Sequence, residues 1–193
     1  MAGSSHARAG PRCFAALLYS TKEEPRWDDV LEYLMQALVL GDSLHAHHPT
    51  IRRVMLLGNE LAQHPLRLLL STRWEVRVCR DVEFSQDAKR LIAGGVHDRI
   101  GSRVYMKLRV WEVCRDFEKV CFMDLDMLVR QAMDPVFSSK SPFSAVFRGA
   151  TELTRPWQDR PQRSYYDRQE RFMFGINGGL FCLWPGLGGG TSH

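Results

Sequence analysis

A chain of 193 residues that is 45% hydrophobic and 25% charged has the proportions of an ordinary globular protein with one substantial core. Those proportions exclude a disordered chain, and no stretch approaches the run of about eighteen apolar residues that a membrane span needs. The formal charge of +4 is modest and Arg is scattered without a basic block, so no nucleic-acid partner is expected.

The five cysteines, Cys13, Cys79, Cys114, Cys121 and Cys182, show no CxxC pairing and leave an odd one over, so free thiols and a cytoplasmic location are expected. Residues 1–12 carry no acid and no core pattern and are expected to be disordered, and the Gly-rich residues 186–193 likewise. A single domain is expected over 13–185.

In chain order, residues 13–19 (CFAALLY) read as a first buried strand. Trp27, Val30, Leu31, Leu34, Met35 and Leu38 then recur at three- and four-residue spacing, which predicts a helix with that face buried and with Gly41 late in it. His45, His47 and His48 fall at its end, where the helix dipole accounts for them without a metal. Residues 53–57 predict a second strand, the Leu-rich stretch 60–71 a helix, and residues 75–79 a third strand. Val104, Leu108, Trp111 and Cys114 lie on one stripe of a further helix, Tyr105 to Phe117, that delivers the chain into a strand ending at Asp124. Residues 143–147 predict another strand, 148–171 a polar surface loop, and 172–185 a return to the core, with Gly175, Gly178 and Gly179 around Asn177. Alternating strands and helices imply an α/β, Rossmann-like fold with a mostly parallel sheet covered on both faces. Ligands of such folds collect beyond the carboxyl ends of the strands.

Asp124 and Asp126 stand at such an end, two positions apart behind the apolar run Val120 to Met123. Side chains at i and i+2 of an extended strand leave the same face, so the pair can address one target if the strand persists. Two adjacent anions need a cation or water, and hard carboxylate oxygens suit Mg or Mn on a nucleotide's phosphates. Lys107 can reach a phosphate as a point charge, or stand as a solvated helix lysine. Asn177 with its glycines can present backbone and amide donors to a sugar or phosphate, or form a tight turn. A strand ending in Asp-x-Asp is also the opening motif of haloacid-dehalogenase-type phosphatases. In those it normally lies on the first strand, whereas several elements come first here.

The ordered stretches Tyr33-Leu-Met-Gln-Ala-Leu-Val-Leu-Gly41, Arg52-Arg53-Val-Met-Leu-Leu57, Lys107-Leu108 with Trp111, Lys119 to Val129 and Asn177-Gly-Gly-Leu-Phe181 together resemble the glycogenin-like glycosyltransferases, family eight of the sugar-nucleotide-dependent enzymes. The resemblance runs from about Cys13 to Trp184. It implies a nucleotide-diphospho-sugar transferase fold, a UDP-sugar donor, Mn2+ (or Mg2+) as cofactor, and hexosyl transfer with retention to a carbohydrate, polyol or protein acceptor, and it leaves room for a homo-oligomer. By the same resemblance, Asp124 and Asp126 hold the metal, and with Leu125 between them they meet the donor's ribose and diphosphate. Lys107 meets the donor phosphates, Leu18, Tyr19, Ser20 and Tyr33 the uridine, and Asn177 with Gly178 the transferred sugar. The family continues with an Asp-Gln segment and a His-x-x-Gly-x-x-Lys stretch that completes the metal site, and neither is present here. The expectation is a C-terminally shortened domain with part of its metal shell, either a transferase or a non-catalytic nucleotide-sugar-binding module.

Overall fold

A computed structural model describes residues 11–87, 102–147 and 176–185, with the backbone alone for Ser102, Phe147, Ile176 and Asn177. Of the segments expected to be disordered, 1–10 and 186–193 lie outside the described residues, as does the polar loop 148–171, whereas Arg12, expected in the disordered start, begins the first strand. Six strands form one sheet: β1 Arg12–Leu18, β2 Arg52–Gly58, β3 Glu75–Cys79, β4 Lys119–Met123, β5 Phe143–Phe147 and β6 Ile176–Leu183, in the order β3-β2-β1-β4-β6-β5. β3, β2, β1 and β4 are parallel; β6 runs antiparallel to both β4 and β5. The expected α/β, mostly parallel architecture is what forms.

Alternation along β1 builds the two faces of the core. Phe14, Ala16 and Leu18 pack with Met55, Leu57, Cys121 and Met123 beneath helix α1, Trp27–His47. Cys13, Ala15 and Leu17 pack with Val54, Leu56, Val120 and Phe122 on the opposite face, beneath Met106, Val110 and Cys114. Covering both faces is what permits central strands to be apolar without interruption. All five cysteines are buried and free, and burial pushes the Cys79 thiol up to about 12.

Helix α1 begins where the Arg26 N–H donates to Asp29 Oδ2 at 2.9 Å, with Asp28 and Asp29 favourably placed in its first turn. Its buried stripe is Val30, Leu34, Ala37, Leu40, Gly41 and Leu44, rotated from the expected one: Trp27, Leu31 and Met35 are exposed. The rotation follows from Trp74, whose ring lies against Gly41 and whose Nε1 donates to Ala37 O at 2.9 Å. A Cβ on Gly41 would stand 2.7 Å from that nitrogen.

Three further expectations need correction. The helix expected over 60–71 is a 3₁₀ turn, Asn59–Leu61, followed by a short α2, Leu66–Leu70, because Pro65 has no N–H to donate back to Leu61. The helix expected over Tyr105 to Phe117 is a 3₁₀-helix, Ser102–Arg109, continued by α3, Val110–Val113. It buries Met106, Val110 and Cys114 and leaves Leu108 exposed. The helix dipole is not what accounts for His48: its ring is buried against Phe14, and its Nε2 accepts the Met133 N–H at 2.8 Å.

Candidate functional site

β1 to β4 share a direction, so their carboxyl ends meet at one edge of the sheet, and antiparallel β6 brings its first residues to that same edge. The strand conformation of β4 stops at Met123, one residue before the first acid. Asp124 leaves the strand, and Leu125 and Asp126 turn. The extended i, i+2 geometry therefore does not reach the acidic pair. Leu125 is instead drawn into the α1-side core, so the chain turns over a buried leucine with a partly exposed Asp124 before it and an exposed Asp126 after it. Two main-chain ties fix this turn: Asp124 N donates to Gly179 O at 2.7 Å, and Val129 N donates to Ser43 Oγ on α1 at 3.2 Å.

Lys107 enters from the 3₁₀-helix on the other face. Its Nζ lies 2.6 Å from Asp124 Oδ1, donates to Gly178 O at 3.3 Å and stands 5.6 Å from the centre of the Phe122 ring. The lysine is four-fifths covered, and its charge is matched by the carboxylate and the ring face. Lys107, Asp124 and Gly178, which lie far apart in sequence, thus form one contact. Asp126 has no ion-pair partner among the described residues.

Tyr19, just past β1, lies within electrostatic reach of the same group: burial raises its phenol above the ordinary value, and Tyr33 and Asp124 raise it further. Tyr33 is half-exposed on α1. Leu18 is buried in the core, so its side chain is turned away from any ligand at this edge. Ser20 is buried and held at three atoms: its N–H donates to Glu60 Oε1 at 2.5 Å, its carbonyl accepts from Arg103 Nη1, and its Oγ accepts from Lys22 N at 3.1 Å. Asn177 pairs with Val146 through the backbone of β6 and β5. Gly178 lies inside β6 rather than in a turn before it, and a Cβ there would meet nothing within 4 Å, so the glycine leaves open space beside Lys107.

Two residues at this edge were not singled out from the sequence. Glu60, just past β2, has a side chain 4% exposed, and Arg103, on the same 3₁₀-helix as Lys107, stands 3.8 Å from its Oε2. No periodicity marks either one. Among the described residues no group of three or more His, Cys, Asp or Glu side chains could enclose a metal ion. The donor set at the turn is therefore two carboxylates, chemically suited to Mg or Mn but short of a full protein shell.

The sheet order and the cover on both faces define a Rossmann-like α/β fold, with the acidic turn at the carboxyl edge of its parallel strands. The chain is similar in fold to the galactosyltransferase LgtC in complex with donor and acceptor sugar analogs, with a TM-score of 0.58 and 18% identity over 90% of this chain and 58% of that one. It is similar also to an active-site mutant of LgtC, with a TM-score of 0.57 and 17% identity over 89% and 57% of the two chains. The chain thus spans under two thirds of the length of these structures. No protein-family profile and no curated protein sequence matches it. None of its helices, among the described residues, is long and apolar enough to cross a membrane.

Proposed function

We propose that this chain is a glycosyltransferase domain that binds a UDP-sugar together with Mn2+ or Mg2+ and transfers its hexosyl group, with retention, to a hydroxyl of a carbohydrate, polyol or protein acceptor. The observation that carries the reading is the meeting of Lys107, Asp124 and the Gly178 carbonyl at the carboxyl edge of a fold shared with LgtC. Asp124 and Asp126 would hold the divalent cation, and the Lys107 ammonium, released from Asp124, would hold the diphosphate. Each charge then keeps a partner of opposite sign throughout. Bound there, the cation would act as a Lewis acid against the charge of the departing nucleoside diphosphate.

The chain's own residues divide the remaining work. Lys107 binds and orients the diphosphate, and its neighbour Phe122 excludes water from one side of the ammonium. Tyr19 and Tyr33 face the nucleoside, and the open space over Gly178, next to Asn177, receives the sugar. Five free, buried thiols suit a reducing compartment such as the cytoplasm.

The test is UDP release from UDP-glucose and UDP-galactose with and without Mn2+, beside calorimetric titration with UDP. The expected result is Mn-dependent binding and turnover, both lost in Asp126→Asn. Absence of UDP binding with or without Mn2+ sinks the reading. A second reading is favoured by the two-carboxylate donor set: a nucleotide-sugar-binding module without transferase chemistry. UDP binding with no turnover of either sugar nucleotide selects it.

A further inference from the structure

One carboxylate and one guanidinium at this edge take no part in the ion pair just described, and they converge on a single residue. Glu60 Oε1 accepts the Ser20 N–H at 2.5 Å, and Arg103 Nη1 donates to the Ser20 carbonyl. Arg103 also reaches the Lys22 carbonyl at 3.3 Å, Asp81 Oδ2 at 3.2 Å through Nε, and Glu60 Oε2 at 3.8 Å. One side chain therefore ties together the exits of β1 (Ser20 and Lys22), β2 (Glu60) and β3 (Asp81). Glu60 Oε2 is buried without a hydrogen bond, so the neighbouring guanidinium is what offsets the cost of burying its charge. Space for this carboxylate exists only because residue 58 is glycine: a Cβ at Gly58 would come within 2.6 Å of Oε2. Lys107 stands four positions further along the same 3₁₀-helix and grips the exit of β4 and the entry of β6. Two of this helix's cations thus have separate tasks.

We infer that Glu60 and Arg103 are positioning residues that fix the β1 exit at Ser20 and so set the nucleoside end of the donor cleft, independently of the diphosphate end held by Lys107. The inference rests on the donor-site reading. It follows that the main chain of Ser20 is not what a base hydrogen-bonds to, since both its polar groups are already engaged. The pair acts through the wall on which Tyr19 stands. Removing Arg103 leaves the Ser20 and Lys22 carbonyls without their shared donor and the Glu60 carboxylate without its counter-charge, and the wall then moves relative to the phosphate subsite. Loss of one hydrogen bond at the nucleoside end lowers affinity by up to roughly ten-fold.

The discriminating measurement is a pair of calorimetric titrations in Mn2+, one with UDP, which occupies both ends of the cleft, and one with inorganic pyrophosphate, which occupies only the phosphate end. Arg103→Ala is expected to weaken UDP roughly ten-fold and to leave pyrophosphate within about two-fold of wild type. Gly58→Ala displaces Glu60 without removing a charge and is expected to give the same split. It keeps the test decisive if the arginine variant does not fold. A parallel loss of UDP and pyrophosphate affinity would reduce the pair to general scaffolding and overturn the inference, and so would unchanged UDP affinity in both variants. Failure of the wild-type protein to bind UDP removes the donor-site reading itself, and is seen before any variant is made.

Discussion

The Lys107 ammonium lies 2.6 Å from Asp124 Oδ1 while its partner acid in the turn, Asp126, faces solvent. The two carboxylates are therefore not equivalent. Asp124 is neutralised by Lys107 and pinned through its own N–H to Gly179, whereas Asp126 is exposed and has no ion-pair partner among the described residues. Their separation follows from Leu125, which anchors the turn in the core between them.

Lys107→Met tests the proposed diphosphate-binding role of this lysine apart from its structural one. A partly exposed ion pair contributes roughly 0.2–1 kcal/mol to stability, so the thermal midpoint is expected to move little. A hydrogen bond to a charged group contributes about 1.5–3 kcal/mol, so UDP affinity is expected to fall by at least ten-fold in calorimetry. Unchanged UDP affinity would assign Lys107 to the fold alone.

Much of this arrangement was legible in the sequence. The α/β order was readable because the strands are apolar runs and α1 carries apolar residues at helical spacing, and Lys107, Asp124 and Gly178 were singled out by residue type and place. What escaped depends on partners distant in the chain. Leu31 and Met35 share the spacing of a buried face, and only the ring of Trp74 lying on Gly41 decides which stripe turns inward. The strand was expected to reach Asp124, but burial of Leu125 demands a turn there. Glu60 and Arg103 look like ordinary surface charges until the fold sets them on either side of Ser20. The reversed direction of β6 is invisible to periodicity, which is the same in parallel and antiparallel strands.

Leu125→Ala tests whether the turn is built on its buried leucine. Truncating a buried leucine typically costs 2–5 kcal/mol, and the lower part of that range, about 2–3 kcal/mol, is expected because Leu125 lies at the core's margin at 9% exposure. Urea unfolding reads the stability, and UDP titration at a temperature where the variant is folded reads the turn. Affinity is expected to fall even though neither carboxylate is altered. Wild-type stability in the variant would show that the turn does not depend on this side chain.

Gly41→Ala sets helix propensity against packing. Alanine in a helix interior gains roughly 1 kcal/mol over glycine. Its methyl group, however, would stand 2.7 Å from Trp74 Nε1 and 3.1 Å from Trp74 Cε2, atoms of a rigid, buried ring. Overpacking of this kind costs about 1–3 kcal/mol, and breaking the hydrogen bond from Trp74 Nε1 to Ala37 O adds to it. Net destabilisation is expected in urea, accompanied by a shift in tryptophan fluorescence. A stabilised variant would mean that the ring moves aside without loss.

At the opposite edge of the sheet, Arg77 Nη1 and Nη2 grip the two carboxylate oxygens of Asp116 at 2.6 and 2.8 Å, and this hydrogen bonding holds Asp116 below the usual carboxylate range. Folded protein then binds fewer protons at this group than unfolded protein does. The stabilisation is fully present above the unfolded value, near pH 4, and is lost as the pH falls through the folded one. Both partners remain partly exposed, which limits the contribution to roughly 1 kcal/mol or less. Arg77→Met is expected to flatten the fall in urea midpoint between about pH 5 and pH 3, while UDP affinity at neutral pH stays at the wild-type value because the proposed donor site lies beyond the other ends of the strands. A slope as steep as that of wild type would show that other carboxylates dominate acid unfolding of this chain.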